Sequence, residues 1–141
     1  MKISMEIEKI AKNNAVHIER LTKEKAVIVK NSIIEKYTCS CKRIFLWDSF
    51  KEAAVLQDSN GWQKLCSFIG NKECLMFFDD GEDEAILCIS NGEDLYILLY
   101  EMFGFEFYIT NIMTEYLICF NHHDCLLGGG LAKKWLESLI E

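Results

Sequence analysis

The sequence predicts an α+β domain, a mainly antiparallel sheet of about five strands packed with amphipathic helices. Three observations lead there. Short apolar runs come in pairs joined by turn-forming residues, at 73–78 with 84–90 and at 105–110 with 116–120, as hairpins do. Other segments carry apolar residues at spacings of three, four and seven, as helices with one buried face do. The chain has 141 residues, 50% of them hydrophobic, enough to bury one core in a single domain covering residues 1–141.

In chain order, residues 2–36 have helical period through Ile3, Ile7, Ile10, Ile18, Leu21 and Ile28, and Asn13-Asn14 divides them into two helices. Val27-Ile28-Val29 is open to a strand reading, against the Lys and Glu that surround it. Residues 43–48 (RIFLWD) read as a strand, 49–57 as helix or loop, and Asp58-Ser59-Asn60-Gly61 as a turn. Trp62, Leu65, Cys66 and Ile69 share one face of a helix closed by Gly70. The first hairpin follows, then a helix from Asn91 whose first turn carries Glu93 and Asp94, opposite in sign to the helix dipole, and which stops at Gly104. The second hairpin turns at residues 111–114. A last helix over 131–140 places Leu131, Trp135, Leu136 and Leu139 inward.

Composition excludes several classes. No apolar run approaches the roughly 20 residues of a membrane helix, and MKISMEIEKIAKNN lacks a secretory pattern, so a cytoplasmic protein with no membrane partner is expected. Seven cysteines are an odd number, and five of them (Cys66, Cys74, Cys88, Cys119, Cys125) lie in or beside apolar segments, as free buried thiols do. Cys39-Ser40-Cys41 supplies only half of a structural zinc site. The net charge of −7 is unevenly spread. Residues 1–43 hold ten Lys and Arg against five Asp and Glu, a balance of +5, whereas residues 44–141 hold five against seventeen, a balance of −12. Such a domain repels nucleic acid and attracts basic proteins.

Two stretches carry candidate function. Asp79, Asp80, Glu82, Asp83 and Glu84 crowd five carboxylates into the first hairpin's connection; it is too short for a calcium loop and reads as a solvated turn or a docking surface for a basic protein. Asn121-His122-His123-Asp124 follows the last strand. Were strand geometry to persist, His122 and His123 would point to opposite faces, and Cys125, beside Leu126 and Leu127, would be buried with a raised pKa. The tetrad is a hydrogen-bonded turn, a binding surface, or a catalytic or metal site with a further ligand from elsewhere. Gly128-Gly129-Gly130 reads as a tight strand-to-helix turn or a bare-backbone anion site, without a phosphate-loop pattern. No motif names a cofactor.

Residues 116–130, YLICFNHHDCLLGGG, with LYILLYEMFGFEFYIT before them at 95–110, resemble a recurrent C-terminal element of small uncharacterised bacterial proteins. In those, a strand likewise ends in an Asn-His-His-Asp run followed by a leucine and spaced glycines. In size, acidity and fold class the chain is similar in type to immunity proteins of polymorphic-toxin and contact-dependent growth inhibition systems. That resemblance implies a stoichiometric inhibitor of a basic toxin domain, often a nuclease, with no catalytic residue. Asp79–Glu84, Glu93 and Asp94 would then meet the toxin's lysines and arginines, with Trp47, Trp62, Tyr96 or Tyr100 as anchors. The alternative is a small metal-dependent or histidine-based hydrolase using the tetrad. A further alternative is a homodimer through the aromatic helix 95–103.

Overall fold

A hairpin pair does form the centre of the sheet in the computed structural model, which describes residues 2–39, 46–79, 81–102 and 105–140. The order of elements is α1 (Ile3–Asn13), β1 (Ile18–Arg20), α2 (Lys23–Tyr37), a 3₁₀ turn (Leu46–Ser49), β2 (Ala54–Gln57), α3 (Gly61–Ile69), β3 (Cys74–Phe77), β4 (Leu87–Ile89), α4 (Gly92–Glu101), β5 (Phe107–Thr110), β6 (Tyr116–Phe120), β7 (Cys125–Gly130) and α5 (Leu131–Ile140). The strands make one antiparallel sheet in the order β1-β4-β3-β5-β6-β7-β2.

Side-chain alternation divides the sheet into two apolar faces. Cys74, Met76, Ile109, Ile118 and Leu126 point to a face covered by α1, α3, α4 and α5. Leu75, Phe77, Tyr108, Leu117, Cys119 and Leu127 point the other way, under Val29, Ile33 and Tyr37 of α2 with Trp47 and Phe50 beside them. Helices on both faces explain why the central strands read as unbroken apolar runs.

The α+β expectation agrees, with seven strands among the described residues where about five were expected. The additional strands lie in segments read otherwise. β1 falls inside the helical run of residues 2–36, which does break at Asn13, and β2 falls in the segment read as helix or loop. β7 contains all three glycines, so Gly128 and Gly129 are strand residues, and only Gly130, at the junction with α5, serves the tight strand-to-helix turn. Close packing explains them. A Cβ on Gly128 would meet Ala132 and Leu136 of α5, and one on Gly129 would meet the Tyr37 ring. Gly130 adopts φ +63°, and a Cβ there would lie 2.5 Å from both the Glu115 carbonyl oxygen and the Tyr37 hydroxyl.

Leu46–Ser49 is a 3₁₀ turn rather than the end of a strand; residues 43–45 of that expected strand, with Cys41, Asp80, Phe103 and the Gly104 stop signal, lie outside the described residues. Val27–Val29 is helical within α2. His17 is exposed and pairs with Glu19 at 3.0 Å, consistent with a surface histidine.

Candidate functional site

Strand directions gather the functional candidates. β3 ends at Phe77 opposite Tyr108, and Phe107 lies opposite Phe120, so the segments after β3 and β6 and before β5 share one end of the sheet. Asp79, Glu82, Glu106 and the tetrad therefore meet there. β4 runs back to Ile89, opposite Cys74, and leads into Asn91. Glu93 and Asp94 thus sit at the other end, at the start of α4, where the Asn91 side chain accepts the Asp94 N–H at 2.8 Å. The acidic loop and the pair Glu93 and Asp94 therefore lie at opposite ends of the sheet.

The strand stops at Phe120, and Asn121 builds a turn. Its backbone N–H donates to the Cys125 carbonyl at 3.0 Å, and Asp124 N–H returns to the Asn121 carbonyl at 3.1 Å. The Asn121 side-chain Oδ1 accepts the His123 and Cys125 N–H groups at 3.0 and 3.1 Å. Asp124 takes φ +58°, in the left-handed region that short polar residues tolerate. This is the hydrogen-bonded turn among the three readings of the tetrad.

Because the turn curls, the two histidines do not point apart. Their ring centroids lie 4.0 Å from each other, and each lies 5.8 Å from the Trp47 ring, edge to face. Glu106 fixes the first: its Oε2 accepts the His122 N–H at 2.8 Å and contacts Nδ1 at 2.5 Å. Cys125 is half-buried rather than buried, its Sγ 3.6 Å from the His123 carbonyl.

The acidic loop divides into structural and exposed carboxylates. Asp79 accepts the Leu46 N–H at 2.8 Å and the Tyr108 hydroxyl at 3.0 Å, while Trp47 N–H donates to that hydroxyl at 3.1 Å. The carboxylate and phenol thereby hold the 3₁₀ turn, and with it Trp47, over the sheet. Burial, with Cys119 and Asp79 nearby, pushes the Tyr108 hydroxyl pKa far up and keeps it protonated. Asp83 is 3% exposed, not a surface group. It accepts Ser4 N–H at 2.8 Å and Ala85 N–H at 3.0 Å, capping α1 from a distant loop. Burial works to raise its pKa, but these hydrogen bonds and the nearby Lys2 outweigh it and leave the carboxyl below its ordinary value. Glu82 and Glu84 are exposed.

Between the loop and the tetrad lies a groove of about 380 Å³ lined by Ile3, Asp79, Glu82, Phe105, Glu106, Phe120, Asn121, His122 and Asp124. Phe105 and Phe120 also border an adjoining cleft of about 180 Å³ with Ser59, Trp62, Leu99, Tyr100, Met102 and Phe107. Trp62 and Tyr100 are thus beside the acidic groove, with Tyr96 against Trp62 at 5.4 Å. Glu106 and the two phenylalanines are site residues that no motif in the sequence singles out. Their signal is a single carboxylate within an otherwise aromatic run that leads into β5, Phe105-Glu106-Phe107-Tyr108.

Among the described residues, no three His, Cys, Asp or Glu side chains form a group able to hold a metal ion. Burial pushes the Cys66 thiol up to about 12 and raises Cys74 and Cys119 as well, so these thiols stay protonated and unreactive. Comparison with protein-family models, with curated proteins and with solved structures finds no match.

Proposed function

We propose that the chain is an immunity protein, a stoichiometric inhibitor that binds a basic toxin domain at the groove end of its sheet. The observation that carries this reading is the convergence of Asp79, Glu82, Glu106 and Asp124 on one groove whose aromatic wall continues into a second cleft. Carboxylates beside an apolar slot suit a partner surface of lysines or arginines interleaved with apolar side chains, such as a nuclease uses against its substrate. Glu82 and Asp124 carry the docking charge, whereas Asp79 and Asp83 are committed to holding the fold. The cytoplasm is the compartment this role requires.

The test is co-expression with any basic toxin-like domain that a neighbouring gene encodes, followed by calorimetry on the purified pair. Glu82→Lys combined with Asp124→Asn is expected to weaken the complex by about tenfold or more, and Glu93→Lys with Asp94→Lys far less. Equal affinity for both doubles would remove the groove from the docking surface.

A hydrolase remains the second reading because His122 and Glu106 form a histidine–carboxylate pair beside that groove. Hydrolysis by the wild type that vanishes in both His122→Ala and Glu106→Gln, with the fold intact, would favour it over inhibition.

A further inference from the structure

We propose that the groove receives one arginine side chain of the partner, whose main-chain carbonyl meets Asn121 while a neighbouring apolar side chain enters the aromatic cleft. This rests on the inhibitor reading and names what the site recognises. Two polar groups are left open there by the described residues. Asn121 is 5% exposed, and its Oδ1 is occupied by two backbone N–H groups, yet its Nδ2 donates to none of them. The Glu106 side chain is 12% exposed; Oε2 takes both His122 contacts, and Oε1 accepts from no described group.

A fixed amide donor beside a fixed carboxylate acceptor calls for a ligand with both a cationic donor and a carbonyl oxygen. A bare metal ion would satisfy the carboxylate and be repelled by the amide hydrogens. A peptide segment carrying a cation meets both demands. Arginine fits better than lysine because a planar guanidinium forks onto carboxylates and lies against aromatic rings, here Phe105 and Phe120 on the line between the two cavities. Asp124 and Glu82 add charge at the mouth.

The experiment is a titration of the full ¹⁵N-labelled chain with N-acetyl-arginine methylamide, with the norleucine analogue and calcium chloride as separate probes. The arginine probe is expected to move the Asn121 side-chain amide and the His122 resonances to saturation. The norleucine probe is expected to leave them in place. Glu106→Gln and, as a variant at an exposed position, Asp124→Asn are each expected to weaken the response by about fivefold. An unmoved Asn121 amide, or an equal response to norleucine, overturns the assignment. Calcium moving the same resonances and displacing the arginine probe overturns it in favour of a cation site. A toxin complex that leaves the Asn121 amide unchanged refutes the arginine assignment and spares the inhibitor reading. Arginine binding in a chain that forms no toxin complex does the reverse.

Discussion

At the scale of single residues, the acidic loop shows how composition and role part company. Asp83 lies among exposed carboxylates in sequence but is buried against the start of α1, where Ser4 is fully buried and its hydroxyl accepts a 2.8 Å bond from Arg20. Asp83→Ala leaves two backbone N–H groups without their acceptor and is expected to cost about 1–3 kcal/mol in urea unfolding at pH 7. The pH dependence follows from the sign of the shift. The folded carboxyl is lowered relative to an unfolded one, which titrates near 3.9. The stabilisation is complete above the unfolded value and is lost as the pH falls through the lower folded one. Asp83→Asn is expected to flatten this part of the stability profile between pH 5 and about pH 2; an unchanged acid limb would remove Asp83 from the capping role. Gly130 is the counterpart in the backbone. With φ +63° and two oxygens 2.5 Å from any Cβ, Gly130→Ala is expected to cost more than about 2 kcal/mol, whereas Gly81→Ala, with nothing within 4 Å, is expected to be near neutral.

At the scale of elements, α2 is the helix that covers the second sheet face, through Val29, Ile33 and Tyr37. Thr22 caps its start and accepts the Lys25 N–H at 3.3 Å, while Tyr37 and Lys36 tie its end to Thr114 at 2.8 and 2.9 Å. Ile33 is fully buried and Ile28 is 68% exposed on the same helix. Ile33→Ala is therefore expected to cost about 2–5 kcal/mol in chemical unfolding and Ile28→Ala less than about 0.5 kcal/mol; similar losses for both would mean that α2 packs differently. The helices and both central hairpins were legible because each holds enough residues to show its period. β1 and β2 are no shorter than β4 and β3, but β1 carries two charged residues among its three and β2 follows the helix-favouring run Lys51-Glu52-Ala53, so neither reads as an apolar run paired with another across a turn. β7 was hidden for another reason: glycines carry no side chain to alternate, and only the pressure of Tyr37 and α5 against them reveals that a strand needs them. The tetrad's prominence was legible too, but its geometry was not. Strand alternation continued past Phe120 would part the histidines, whereas the Asn121 side chain closes the turn and so brings both histidines against Trp47.

At the scale of the whole molecule, the placement of charge matters more than its sum. The net charge is −7, but the groove end holds Asp79, Glu82, Glu106 and Asp124 while Glu93 and Asp94 lie at the far end of the sheet. Strands of four to five residues separate these ends by about 15 Å, beyond the screening length of about 8 Å at physiological ionic strength. Charges at the far end should therefore contribute little to the field that a docking cation meets. Association with a basic partner is expected to slow about tenfold between 0.05 and 0.5 M salt, with dissociation little changed. Glu82→Lys and Glu93→Lys alter the net charge equally. If local field steers the encounter, Glu82→Lys lowers the association rate and its salt dependence, and Glu93→Lys leaves both close to wild type in stopped-flow measurements. Equal slowing by the two would mean that total charge, rather than the groove, draws the partner in.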